Sequence, residues 1–155
     1  MSEFGEHLKF FNDDASATVQ FQYVASKQGK LTLQLQIAPL RNGNADYNVL
    51  APLQLTTEEL HHVCACVCGI RTKASGAFHG EQRSKGFQLH NNNCKGMWLT
   101  QNQRGQSLSY GLTPSERTEL MAFSLRRLAM AWHVSVSDVM AILRQSFKMD
   151  TAPHE

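Results

Sequence analysis

The chain has 155 residues with 15 Lys and Arg against 13 Asp and Glu, a formal net charge of +2 and an apolar fraction of 42%. Those values fit one globular domain, and no stretch approaches the roughly 18 uninterrupted apolar residues that a membrane-spanning helix needs. The acidic start Met1-Ser2-Glu3-Phe4-Gly5-Glu6 has neither a secretory apolar core nor an Arg-rich transit pattern, so a soluble cytoplasmic protein without a membrane partner is expected.

Residues 1–17 read as an N-terminal arm, residues 18–147 as the domain and residues 148–155 as a flexible tail. The first strands follow period-two alternation. Val19, Phe21 and Tyr23 oppose Gln20 and Gln22, and Leu31, Leu33, Leu35 and Ile37 oppose Thr32, Gln34 and Gln36. A further strand is expected near Tyr47 to Leu55. Leu55-Thr56-Thr57-Glu58-Glu59 then opens a helix with a capping box, in which the Thr56 hydroxyl accepts from the Glu59 amide and the Glu59 carboxylate accepts from the Thr56 amide. Its stripe is Leu60, Val63, Cys64, Val67 and Cys68, with Gly69 as the stop.

The second half repeats this order. A short strand holds Ala77 and Phe78; Phe87 and Leu89 oppose Gln88 and His90; Met97 and Leu99 oppose Trp98 and Thr100; Leu108, Tyr110 and Leu112 oppose Ser107 and Ser109. Leu112-Thr113-Pro114-Ser115-Glu116 is the second capping box, with Pro114 at the first helical position where its missing N–H costs nothing. Its helix carries the stripe Leu120, Met121, Leu125, Leu128 and Trp132. A short third helix follows His133, capped by Ser135 and Asp138 and presenting Val139, Ile142 and Leu143. Gly- and Asn-rich turns at 41–44 and 91–93 suit antiparallel hairpins. The predicted class is α+β: duplicated antiparallel β-sheets, each followed by a helix, in halves of about 18–70 and 74–132.

Charge is distributed unevenly. From Ala15 to Leu55 the only acid is Asp46, against Lys27, Lys30 and Arg41; from Leu60 to Ser115 the only acid is Glu81, against Arg71, Lys73, Arg83, Lys85, Lys95 and Arg104. With helices over the Leu and Phe face, the opposite face presents Gln34, Gln36, His90 and Trp98, and the hairpins around it carry Lys and Arg. Such a surface tracks a sugar–phosphate backbone with its cations, stacks unpaired bases on its aromatics and bonds base edges with its amides. The candidate nucleic-acid-binding residues are Lys27, Lys30, Gln34, Gln36, Arg41, Arg83, Lys85, His90, Lys95, Trp98 and Arg104. An exposed Trp98 beside the core pair Met97 and Leu99 calls for a stacked base or an oligomer contact.

The basic Gly turn Ser26-Lys27-Gln28-Gly29-Lys30-Leu31-Thr32, with a last strand running into the Thr56 cap, resembles the single-stranded-nucleic-acid-binding fold of transcription positive cofactor four. The doubled order over about 18–132 is similar to the Whirly proteins and the mitochondrial guide-RNA-binding proteins. That resemblance implies paired four-stranded sheets backed by helices, homo-oligomers (dimer or tetramer), and single-stranded DNA or RNA bound across sheet edges and hairpins. Lys27, Lys30, Lys95 and Trp98 are the positions it carries over. The Lys-Gly-Lys turn of the Whirly proteins appears here with an extra Gln, as Lys27-Gln28-Gly29-Lys30, and in part as Lys95-Gly96. The expected roles are transcription regulation, DNA transfer or replication, or RNA handling.

Three other readings arise. Residues 125–145 have the rhythm of a helix-turn-helix, with His133 in the turn, which would make the chain a double-stranded DNA-binding regulator. His61, Cys64 and Cys68 share one helical face, but the same face carries the core stripe and no paired Cys-x-x-Cys occurs, so no metal or cofactor is expected. His79 and His90 lack a nucleophile or a phosphate loop beside them, and no enzyme is expected.

Overall fold

The computed structural model describes residues 5–151. The alternating segments form β2 (Ala17–Ala25) and β3 (Leu31–Arg41), joined through a turn in which Gly29 takes φ +79°. Two further pieces pair with β3: β4 (Asn44–Ala45) and β5 (Leu53–Gln54). Within the stretch expected as an arm lies β1 (His7–Phe11), antiparallel to β2 from His7↔Gln22 to Phe11↔Thr18. Five residues are too few for alternation to stand out in a sequence, yet Leu8 and Phe10 pack against the core and His7, Lys9 and Phe11 face outward.

The strand expected from Tyr47 to Leu55 is only two residues long. Asp46 accepts from the Asn48 amide at 3.1 Å, and the Gln36 side chain donates to the carbonyls of Tyr47 (3.2 Å) and Leu50 (2.8 Å). A side-chain amide thus replaces ladder bonds, and Pro52, which has no N–H, cannot restore them.

Then come α1 (Thr57–Val67), β6 (Lys73–His79), β7 (Lys85–Asn91), a single 3₁₀ turn (Asn93–Lys95), β8 (Met97–Gln103), β9 (Gln106–Leu112), α2 (Pro114–Trp132) and α3 (Val136–Thr151). The second sheet is four-stranded, in the order β6-β7-β8-β9. The described residues are therefore α+β, two antiparallel sheets with three α-helices. Among the described residues no helix is long and apolar enough to cross a membrane.

Both capping boxes form, on Thr56 and Glu59 and on Thr113 and Glu116. At the end of α1, Gly69 enters the left-handed region, and the amides of Gly69 and Ile70 return to Cys66 and Ala65, a Schellman stop. His133 takes the same left-handed geometry, φ 58° and ψ 44°, at the end of α2. The third helix is not short, running 16 residues, and Ile142 is exposed on it while Val139 and Leu143 are buried. The expected tail is helical as far as Thr151, and its remainder lies outside the described residues.

One core joins the halves. Val19, Phe21, Leu33, Leu35 and Ile37 of the first sheet, Phe87, Leu89, Met97, Leu99 and Tyr110 of the second, and Leu60, Val63, Leu120, Leu125 and Leu128 of the helices make one cluster. Arg127, 8% exposed, donates to the carbonyls of Thr32 (3.0 Å) and Val24 (2.6 Å) and so ties α2 to the first sheet. Thr32, expected on the polar face, is 3% exposed and donates to the Leu55 carbonyl at 2.9 Å, because the chain turning into α1 covers that end of β3.

Glu59 serves two partners. One carboxylate oxygen accepts from the Thr56 amide at 2.9 Å, and the other lies 2.7 Å from His79 Nε2 on β6. Gly76 makes room for this. A Cβ there would overlap the Glu59 carboxylate and stand 2.8 Å from the Phe87 ring. Gly76→Ala is expected to cost about 3 kcal/mol by overpacking and loss of the cap. Urea denaturation should show a lower midpoint at unchanged slope.

Candidate nucleic-acid interface

Side chains alternate across a strand, so register decides which of them become neighbours. In the second sheet Lys73 pairs with His90, His90 with Trp98, and Trp98 with Gly111. These four residues, one from each strand, make a row about 14 Å across at the usual strand spacing. The row lies on the face opposite Leu89, Leu99 and Tyr110, which are at most 2% exposed.

Trp98 is 36% exposed, and its ring stacks on His90 at 5.7 Å between centroids and 22° between planes. On its other flank Gly111 offers no side chain, and a Cβ there would meet no atom within 4 Å. The indole is thus braced on one side and open on the other. The next row is polar: Ser75, Gln88, Thr100 and Ser109, with Thr100 and Ser109 hydrogen-bonded at 2.8 Å.

Cations mark both ends of this face. At the far end, about 20 Å from the His90 row by strand rise, Arg83 and Arg104 sit at adjacent hairpin tips, joined by an Arg104 amide to Ser84 carbonyl bond of 3.4 Å. Arg83 stands 5.6 Å from the ring of Phe78, which is 69% exposed. At the near end are exposed Lys95, in the 3₁₀ turn, and Lys73, on the edge strand β6. Lys73 is the residue that sequence reasoning left out. It was counted among the basic residues of this half, but only the β6–β7 register reveals that it flanks His90 and Trp98.

The remaining candidates lie elsewhere. Lys85 shares the parity of Phe87 and Leu89, and its ammonium donates to the Pro52 carbonyl at 3.2 Å, bracing the two halves rather than facing the row. Lys27 and Lys30 are exposed in the β2–β3 turn; Lys30 borders a cleft that Trp132 and His133 also line. Arg41, in the β3–β4 hairpin, is 3.6 Å from Asp46. Gln34 and Gln36 are on the outer face of the first sheet, each with its amide engaged: Gln34 donates to Gln22 at 3.1 Å, and Gln36 clips the Tyr47–Leu50 turn.

The two halves can be superposed by register. Counting back from each capped helix, the row Lys73–His90–Trp98–Gly111 corresponds to His7–Gln22–Gln34–Gln54 in the first sheet. The same position is a stacking aromatic in one half and a glutamine ladder in the other.

The thiols of α1 serve packing. Cys66 Sγ is 3.8 Å from the Leu89 carbonyl and Cys68 Sγ is 3.4 Å from Met140 Sδ. Burial pushes Cys66 up to about 12 and Cys68 up to about 11, so both stay protonated at neutral pH. His61 rests against Trp132 at 5.4 Å between ring centroids, and burial holds its pKa below the usual histidine value. Trp132, placed on the apolar stripe of α2, is only half-buried there. In the 125–145 segment, α2 packs on β3, β9 and α1, and α3 packs on α2 and α1.

No family model, curated protein or solved structure matches the chain.

Proposed function

We propose that this chain binds single-stranded DNA or RNA without catalysis, in the manner of the Whirly and positive-cofactor-four proteins, as a dimer or tetramer serving transcription, DNA transfer or replication, or RNA handling. The observation that carries the reading is the row Lys73–His90–Trp98–Gly111, an indole braced on one side and open on the other. Every base has a π-face, so such a platform accepts single strands with little regard to sequence. Lys73, Lys95, Arg83 and Arg104 contact the phosphates at either end. Duplex DNA keeps its bases stacked on one another and offers the indole nothing to stack on.

Anisotropy titrations of labelled single strands and matched duplexes test the proposal. Single strand is expected to win at low salt, with log affinity falling by about 0.7 per tenfold salt for each phosphate neutralised, so roughly 2 to 3 for the four cations named. Equal or stronger duplex binding, or an affinity indifferent to salt, would reject it.

A further inference from the structure

A second group of exposed aromatics surrounds a lysine on the first sheet. Lys9 projects from the outer face of β1, with its ammonium 5.9 Å from the centroid of Phe11 and 5.4 Å from that of Tyr47. Phe11 is 55% exposed and Tyr47 37%. None of the ion pairs among the described residues involves Lys9. Its neighbours along the row are Gln20 and Gln36, by the pairings Lys9↔Gln20 and Gln20↔Gln36. Gln36 in turn fixes the Tyr47 turn through its bonds to the carbonyls of Tyr47 and Leu50, so the aromatic from the turn is held against the sheet that carries the lysine.

Two solvent-facing rings could have been buried with profit, since large exposed apolar side chains forgo the gain of leaving water. A cation without a carboxylate partner among the described residues, set between rings and beside the Gln20 amide, matches one occupant best: a phosphate on the ammonium, with flanking bases against the rings and an edge toward Gln20. An apolar protein partner would leave the ammonium buried without a counter-charge, which is costly.

We infer that Lys9, Phe11 and Tyr47 form a second stacking site for the same single strand, so that a long strand engages both sheets of one chain. This rests on the single-strand reading above. Two modest sites on one chain raise each other's effective concentration, and a strand long enough to span them binds more tightly than one confined to either.

The test uses the full chain and labelled oligothymidylates of about six and about twenty nucleotides, bracketing the sizes usual for a single-strand groove. Phe11→Ala combined with Tyr47→Ala is expected to weaken the long strand by about tenfold or more and to lower the number of short strands bound per chain from two to one. Lys9→Gln alone should reduce the salt slope for the long strand by about 0.7. Unchanged long-strand affinity and unchanged short-strand stoichiometry in the double variant would overturn the second site while leaving the Trp98 platform standing. No binding of either strand by the unaltered protein would overturn both. A change in molar mass by light scattering, with strand affinity intact, would assign the patch to a second copy of the chain and overturn the inference. Because altered surfaces can perturb folding, the unaltered protein should also be photo-crosslinked to a halouracil-substituted strand. Adducts mapped to the Lys9–Phe11 or Tyr47 peptides support the site, and adducts confined to the second sheet refute it.

Discussion

Trp98→Ala is expected to weaken single-strand binding by about 5- to 150-fold, the range for removing one base–aromatic stack. The cost falls on binding and not on folding, because the indole is 36% exposed on a face whose opposite side holds the core pair Met97 and Leu99. Trp98→Phe keeps a π-face in the same register and should recover most of the affinity. Gly111→Val probes the open flank: the backbone has room for the side chain, since no atom lies within 4 Å of its Cβ, but the branch would stand beside the indole directly across the pair Trp98↔Gly111. It should therefore lower affinity with the fold intact. Fluorescence offers a direct check. Trp98 should be quenched on adding oligothymidylate, whereas Trp132, beside His61 on the helical side, should not be. Quenching confined to Trp132 would move the binding surface to the helices and the 125–145 segment.

Gln101→Leu is expected to destabilise the fold by about 3 kcal/mol or more. Gln101 is fully buried and bridges the halves: its carbonyl oxygen accepts from the Ile37 amide at 2.7 Å, and its amide donates to the Ala51 carbonyl at 2.7 Å. Next to it Gln103 accepts from the Ala51 amide at 2.9 Å. Ala51 is thereby held on both backbone groups by β8, and Ile37 N–H, left without a strand partner where β5 ends, is satisfied from the other sheet. A leucine would fill the space but leave a donor and an acceptor unpaired, each costing about 1–3 kcal/mol. For a domain of this size that corresponds to a fall in melting temperature of about 10 °C. A melting temperature within a degree or two of the unaltered protein would show that water or a local shift satisfies both groups.

Several features were legible because they depend on local chemistry. The capping boxes at Thr56 and Thr113, the glycine stop at Gly69, the hairpin at 41–44 and the inward faces of β2, β3, β7, β8 and β9 are each set by residues a few positions apart. The exposure of Trp98 followed from the same alternation. The strand expected from Tyr47 to Leu55 gave way because Gln36, distant in the sequence, takes the carbonyls of that turn. In the arm, β1 went unread because its ladder partner begins beyond a turn of its own. Thr32 looked polar and outward but is covered by the approach to α1.

Taken alone, the sequence determined the long strands β2, β3, β7, β8 and β9 and the order of the helices among them, the helix caps, the sides on which most apolar and polar residues fall, and the basic central body. Those are consequences of the period of each element and of short-range hydrogen bonding. The tertiary structure decided which polar residues stand together: Lys73 beside His90 and Trp98, Lys9 between Phe11 and Tyr47, Lys85 turned to Pro52, and Gln101 inside the core. Alternation fixes the face of a side chain, but only strand register and the packing of one sheet against the other fix its neighbours, and both depend on partners far away in the chain.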